Sequence, residues 1–232
     1  LFILAIYYNL SNKIKISYFI LGLTTIIHPQ LGILGLSLIV ISNIFCEYKE
    51  REKIITEINS ILIYYFPLGF IGLLPVILNA SNTVDLEIFE IITYIRHPHH
   101  FCPFYFPLLD YLKFFVVFSF FLIALSYNIK AKDRKNHKKI LMIIFLILIY
   151  CLAGTIFVEI FPVLFIAKLQ MFRLTPILIL LMYIYIVNLF YQIYVSKTLN
   201  IANKINNIYE KISNLFNDNK NLTNLVIVII II

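Results

Sequence analysis

The apolar residues of this chain gather in blocks that are separated by short polar segments. The blocks cover residues 1–10, 16–27, 31–46, 61–78, 112–129, 140–158 and 174–195. A helix that crosses a bilayer needs about 20 predominantly apolar residues. Because several blocks approach that length, the pattern predicts an all-α integral membrane protein with about six transmembrane helices, of which the first is partial.

Both ends of the chain lie in apolar sequence. It begins at Leu1 inside one block, and it ends in an apolar run that follows the polar residues 196–224. We expect a polytopic transmembrane domain over residues 1–195 and a polar cytoplasmic segment over residues 196–232, which leads into a truncated apolar run. This pattern is typical of a piece of a longer protein.

Composition and charge agree with a membrane protein and set its orientation. Hydrophobic residues make up 61% of the chain and charged residues 13%, against about half and a quarter in soluble domains. The net charge of +7 does not indicate nucleic acid, because the basic residues cluster on one side of the predicted spans. That side is expected to be cytoplasmic. Of the 19 Lys and Arg residues, four fall on the other side: Arg96, Lys113, Lys168 and Arg173.

Three polar segments are predicted to meet the non-cytoplasmic face. Pro29 cannot continue a helix, so residues 16–46 read as a helical hairpin with His28 at its tip. Residues 84–95 mix acidic and apolar positions and predict a short interfacial helix in an external loop. The loop that follows it and residues 159–173 complete the set, so groups from three parts of the chain could form one external site.

The sequence from Arg96 to His100 is the densest group of titratable residues. His97 and His99 could share a side around Pro98 and bind a divalent metal, but a structural zinc site needs about four ligands and no partners complete one. An anion site fits better, because Arg96 offers a planar fork for phosphate and His97, His99 and His100 add donors. A third interpretation is that these side chains simply lie at the headgroup level beside aromatic residues.

His28 and Arg173 extend the candidate anion site. Arg173 and Lys168 are external cations that depart from the general charge bias, and we take Arg173 as a candidate ligand for an anion. Lys168 is better explained as a snorkelling anchor. His28 taken alone is typical of a turn, and it joins the candidate set because of its predicted side of the membrane.

Several of these residues also carry a resemblance. The hairpin sequence GLTTIIHPQLGILGL, the motif RHPHH, and the spaced residues Glu159, Pro162, Gln170 and Arg173 resemble a bacterial family of multi-pass membrane proteins of uncharacterised function. That family is similar to membrane glycosyltransferases of the GT-C fold. The resemblance implies a lipid-phosphate-linked sugar as donor, used at the external face of a bacterial cell membrane. The catalytic acid of such enzymes would lie upstream of Leu1, so no catalytic residue is assigned.

The resulting hypothesis is a membrane glycosyltransferase-like protein that binds the lipid bilayer and a polyprenyl-phosphate-linked sugar. Two alternatives belong to other classes. Pro67 and Pro75 in the block 61–78 could mark a discontinuous helix, which favours a transporter or flippase for a lipid-linked or anionic substrate. A non-catalytic membrane assembly subunit is the other.

Overall fold

A computed structural model describes residues 1–47, 51–78, 89–96, 102–128 and 134–218, and this part of the chain is helical with no strands. The α-helices are α1 (Phe2–Leu10), α2 (Ile14–Ile27), α3 (Pro29–Glu47), α4 (Arg51–Ser60), α5 (Phe66–Leu78), α6 (Leu108–Asn128), α7 (Arg134–Thr155), α8 (Leu164–Leu169) and α9 (Thr175–Asp218). The predicted all-α class is therefore confirmed.

Within the described residues, five helical segments are long and apolar enough to cross a membrane. They are Pro29–Cys46, Glu52–Leu78, Leu108–Tyr127, Lys135–Ile160 and Leu164–Val195. The shorter apolar helix Ile14–Ile27 accompanies them. The chain is therefore a multi-pass integral membrane protein, and which loops face the cytoplasm stays a prediction.

The described chain divides into two compact units. The first is Leu1–Ile184, and the second begins at Tyr185 and contains the remainder of α9. All of the contacts described below lie within the first unit. The predicted boundary near residue 195 stays a prediction.

Helix α2 packs against α1, α3 and α5 through close contacts at small residues. A Cβ added at Gly32 of α3 would lie 2.5 Å from Cα of Thr25, and one added at Gly72 of α5 would lie 2.6 Å from the Thr25 carbonyl. Glycines allow the backbones of membrane helices to approach this closely. The end of α2, where His28 follows Ile27, is thereby held between two helices.

Two of the long spans contain a π turn, Ile61–Tyr65 in one and Ile156–Ile160 at the end of another. In the first, Ile61–Tyr65, the N–H of Phe66 donates to the carbonyl of Ile61, five residues earlier. This turn ends two residues before Pro67, whose ring and missing N–H disturb a regular helix. The irregularity expected in the block 61–78 therefore takes the form of a π turn, and the span begins at Glu52, upstream of that block.

Three segments differ from the predicted loops and ends. Residues 134–139 form the first turns of α7 instead of ending a basic loop, since Lys and Arg are good helix formers. Residues 159–173 contain α8 and a 3₁₀ turn, Met171–Leu174. The first part of the predicted polar segment 196–232 is helical and belongs to α9, which ends at Asp218, and residues 219–232 lie outside the described part.

The predicted interfacial helix is described only at its end. Phe89 and Glu90 are helical and lead into a π turn, Ile91–Arg96. Phe89 is buried and packs with Cys102, Val158 and Ala167. This end of the segment therefore lies against the neighbourhood of Glu159, and the predicted residues 84–88 lie outside the described part.

Candidate functional site

His28 lies at the tip of the hairpin because Pro29 ends α2 and begins α3. The N–H of His28 closes α2 by donating to the carbonyl of Thr24 at 2.8 Å, and its own carbonyl accepts from Gly32 at 3.0 Å. Both backbone groups of His28 are thus satisfied within the hairpin. Its ring nitrogen Nδ1 lies 3.5 Å from the Leu31 N–H, and Nε2 is left to interact with other parts of the chain.

The partner of the His28 ring is Arg173, which lies in the 3₁₀ turn before α9. Nη1 of Arg173 donates to Nε2 of His28 across 145 residues of sequence. Burial, followed by the positive charge of Arg173, lowers the pKa of His28 from its ordinary value of 6.5. The ring is therefore neutral near pH 7, which leaves Nε2 free to accept from the guanidinium.

The rest of the Arg173 guanidinium has no protein partner among the described residues. Nε is buried without a hydrogen bond. Nη2 is likewise unpartnered, yet it is not fully buried. No carboxylate of the described chain forms an ion pair with this side chain. The edge formed by Nε and Nη2 therefore remains available for an anion with two oxygens.

Gln170 precedes Arg173 on the same turn and has an unusual backbone. Its φ is 52° and its ψ is 54°, in the left-handed region that side chains other than Gly, Asn and Asp rarely adopt. The turn is closed by hydrogen bonds from Gln170 N–H to Ala167 and from Arg173 N–H to the Gln170 carbonyl, both at 2.9 Å. The side-chain oxygen Oε1 of Gln170 is buried without a partner.

A second contact joins the segment that follows the predicted interfacial helix to the region before Arg173. The backbone N–H of Phe104 donates to Oε1 of Glu159 at 2.9 Å. Nearby, Cys102 is fully buried and its thiol contacts the Thr93 carbonyl at 3.6 Å. Burial, together with the charge of Glu159, raises the pKa of Cys102 to about 11. This thiol stays protonated and acts as part of the packing.

Two apolar cavities lie near the turn that carries Arg173. One, of about 350 Å³, has His28 in its wall; its other lining residues are Leu1, Phe2, Ile3, Thr24, Ile27, Leu31 and Ile177. The other, of about 500 Å³, is lined by residues of α6, α7 and α9, with Phe172 in its wall. The first cavity therefore reaches His28, the partner of Arg173.

The structure brings together two of the six candidate residues, His28 and Arg173. The backbone of Arg96 ends a π turn, but its side chain lies outside the described part, as do His97, His99 and His100. Across the described residues, no three His, Cys, Asp or Glu side chains are placed to hold a metal. The metal alternative at His97 and His99 stays a prediction.

Sequence reasoning missed a buried polar network that joins α1, α2, α3 and α4. The side-chain amides of Asn9 and Asn43 exchange two hydrogen bonds, of 3.1 and 2.9 Å, and Asn43 also donates to Oε1 of Glu57 at 2.8 Å. The Tyr18 hydroxyl donates to the same carboxylate oxygen. The available signal was Glu57 itself, because an ionisable residue within a span is costly and needs partners.

A comparison of the chain with protein-family models, with curated proteins and with solved structures found no match.

Proposed function

We propose that this membrane protein binds a lipid-linked phosphate, with Arg173 as the principal ligand and His28 as the group that orients it. The observation that carries the proposal is the Arg173 guanidinium, which has an unpaired Nε–Nη2 edge and no carboxylate partner among the described residues. Arg is suited to phosphate because its planar fork donates two parallel hydrogen bonds.

The energetic argument concerns the unpaired N–H of Arg173. A buried donor without a partner costs about 1–3 kcal/mol. The positive charge of Arg173 also attracts negatively charged groups. A phosphate would remove that cost and add charge-assisted hydrogen bonds, each worth about 1.5–3 kcal/mol. His28 holds Nη1 as a neutral acceptor, which fixes the plane of the guanidinium without neutralising its charge.

The surroundings favour a lipid over a soluble phosphate. Arg173 belongs to the candidate span Leu164–Val195, and the cavity beside His28 is lined mainly by apolar side chains. Its volume of about 350 Å³ is within the range of about 300–1,000 Å³ found for small-molecule sites. A hydrocarbon chain that enters this cavity would leave its phosphate at the polar end.

The activity we propose for this site is transfer of a sugar from a lipid phosphate, as the resemblance to GT-C-fold glycosyltransferases suggests. Arg96, His97, His99 and His100 would add donors to the same phosphate in this proposal. The external, non-cytoplasmic position of the site is part of the proposal as well.

A transporter or flippase for a lipid-linked phosphate is the second candidate. It is favoured by the π turn Ile61–Tyr65 and by Pro75 inside α5, because interrupted helices are common at the substrate sites of transporters. The same phosphate site would serve either activity. Proteoliposomes loaded with a prenyl-phosphate hexose and supplied with an acceptor alcohol separate the two. A transferase breaks the bond between sugar and phosphate and joins the sugar to the acceptor hydroxyl, which leaves the prenyl phosphate, whereas a flippase moves the intact lipid between leaflets.

The binding proposal is tested with the full-length protein in phosphatidylcholine nanodiscs and a fluorescent prenyl phosphate. Arg173→Gln should weaken binding by about tenfold to a hundredfold, the equivalent of one charge-assisted hydrogen-bonded contact. Lys168→Gln is the matched control, because Lys168 is an exposed cation of the same segment and its loss should change the Kd less than twofold. Equal Kd values for wild type and Arg173→Gln would refute the proposal.

A further inference from the structure

We infer that the ligand held at Arg173 carries a hydroxyl group next to its phosphate, and that this hydroxyl donates a hydrogen bond to Oε1 of Gln170. The inference rests on the proposed phosphate site and specifies the chemistry of the head group. A prenyl-phosphate sugar and a phosphatidylglycerol are two lipid phosphates with such a head group.

The first observation is the backbone of Gln170. Its φ of 52° and ψ of 54° place a residue with a full side chain in the left-handed region, where the Cβ crowds the following carbonyl. Glycine would adopt this conformation without strain. Strained positions of this kind cluster at ligand sites, so we take the glutamine side chain at this position to contact a ligand.

The second observation is that this side chain ends in a buried acceptor with no donor. Oε1 of Gln170 is buried and unpaired among the described residues. Most buried polar side-chain atoms in proteins have a partner. A ligand that supplies a donor at this point would satisfy the atom.

The third observation relates Gln170 to Arg173. Gln170 immediately precedes the 3₁₀ turn Met171–Leu174, and the N–H of Arg173 donates to the Gln170 carbonyl at 2.9 Å. Gln170 and Arg173 are therefore the two ends of one hydrogen-bonded turn, and each has an unpaired buried atom: an acceptor on Gln170 and a donor on Arg173.

These two atoms require different ligand chemistry. Phosphate oxygens suit the N–H of Arg173, whereas a carbonyl oxygen repels them because both are acceptors. The atom that faces Gln170 must therefore carry a hydrogen, and a hydroxyl attached close to the phosphate supplies it. A phosphate without such a group would satisfy Arg173 and leave Gln170 unpaired.

The test compares pairs of lipids that differ in the hydroxyl-bearing group. One pair is a prenyl-phosphate hexose and the methyl ester of the prenyl phosphate, and the other is phosphatidylglycerol and phosphatidylethanol. All four lipids are phosphodiesters of one negative charge, and the second lipid of each pair, the bare phosphate lipid, has no hydroxyl group. For each pair, the ratio of the two Kd values is measured in phosphatidylcholine nanodiscs with full-length protein. Wild type should favour the hydroxyl-bearing lipid of at least one pair about threefold to tenfold, the effect of one neutral hydrogen bond. The pair with the larger ratio shows which of the two hydroxyl-bearing lipids the site prefers.

Two variants isolate the Gln170 carbonyl. Gln170→Met retains the length of the side chain and removes the acceptor, while Gln170→Gly removes the acceptor and relieves the left-handed strain. Both should bring the ratio close to one and leave the Kd of the bare phosphate lipid unchanged. A wild-type ratio of one, a ratio preserved in both variants, or equal weakening of both lipids of a pair would overturn the inference.

A neutral prenyl glucoside separates this inference from the phosphate proposal. If Arg173→Gln leaves prenyl phosphate binding unchanged, the phosphate site is refuted. Weaker binding of the neutral glucoside by Gln170→Met would then still support the hydroxyl contact, and unchanged binding would overturn it as well.

Discussion

Gly72→Ala perturbs the contact that holds the end of α2 in place. The Cβ of the new alanine would lie 2.6 Å from both the carbonyl carbon and oxygen of Thr25, and 2.7 Å from the nitrogen of Ile26. Carbon atoms in normal contact are about 3.5–4.0 Å apart, so the overlap is roughly 1 Å. All three atoms belong to the backbone, and α2 and α5 must therefore move apart.

The magnitude follows from two opposing terms. Overpacking of this kind costs about 1–3 kcal/mol, and backbone atoms that cannot rotate away favour the upper end. Replacing a helical glycine by alanine returns about 1 kcal/mol of helix propensity. The net expectation is a loss of about 2 kcal/mol in the free energy of unfolding.

Gly154→Ala on α7 is the matched control. Its Cβ would meet the Phe172 ring edge at 3.3 Å and the Met171 Cβ at 3.4 Å, distances that small side-chain adjustments can absorb. We expect its stability to be equal to that of wild type or up to about 1 kcal/mol higher.

Both glycine variants are measured by reversible unfolding in mixed micelles of dodecyl maltoside and SDS, followed by circular dichroism. Equal stability of Gly72→Ala and Gly154→Ala would refute the close α2–α5 packing. Because Thr25 lies one turn before His28, the displacement in Gly72→Ala should also weaken prenyl phosphate binding.

Three further predictions concern other parts of the structure. The pKa of His28 is lowered in the folded protein, so folding favours the neutral ring. The contribution of His28 to stability should therefore be complete above pH 6.5 and decrease as the pH falls below 6.5. Melting temperatures of His28→Gln and wild type from pH 5 to 8 check this prediction. Glu159→Gln weakens the acceptor of the Phe104 N–H, and that amide should exchange faster with deuterium. Asn43→Ala leaves the buried groups of Asn9 and Glu57 short of a partner and should cost about 1–3 kcal/mol of unfolding free energy.

For each of these three predictions, one experimental outcome would contradict it. A constant difference in melting temperature between His28→Gln and wild type across the pH series would contradict the neutral ring. Unchanged exchange at Phe104 would rule out the contact with Glu159. An Asn43→Ala protein as stable as wild type would show that the network contributes nothing net. Ser119→Ala on α6 is the control for the last, because Ser119 is exposed and donates only to its own helix at Phe115.

The apolar pattern predicted the class of fold and most of the spans because the length of a membrane helix is fixed by the bilayer. Pro29 likewise located the hairpin tip, since proline suits the first turn of a helix and not its interior. The start of α7 at Arg134 was missed because charge was taken as a sign of a loop, although Lys and Arg favour helices. Local rules therefore recovered the elements, and the errors lie at their ends.

The candidate site was predictable only in part. Alternation of the spans placed His28 and Arg173 at one end of the bundle, but their contact across 145 residues depends on tertiary packing that no local pattern encodes. The left-handed backbone of Gln170 had no signal, because glycine and asparagine are the residues that usually mark it. The network of Asn9, Asn43 and Glu57 did have a signal in the sequence, namely polar residues within apolar segments.

The measurement that tests the account most directly is a double-mutant cycle between His28 and Arg173. The Kd of prenyl phosphate is determined for wild type, His28→Gln, Arg173→Gln and the double variant. If the two residues form one phosphate site, their effects should be coupled by about 0.5–3 kcal/mol, as is typical of residues in contact. Strictly additive effects, or four equal Kd values, would contradict the claim that this pair binds a lipid phosphate.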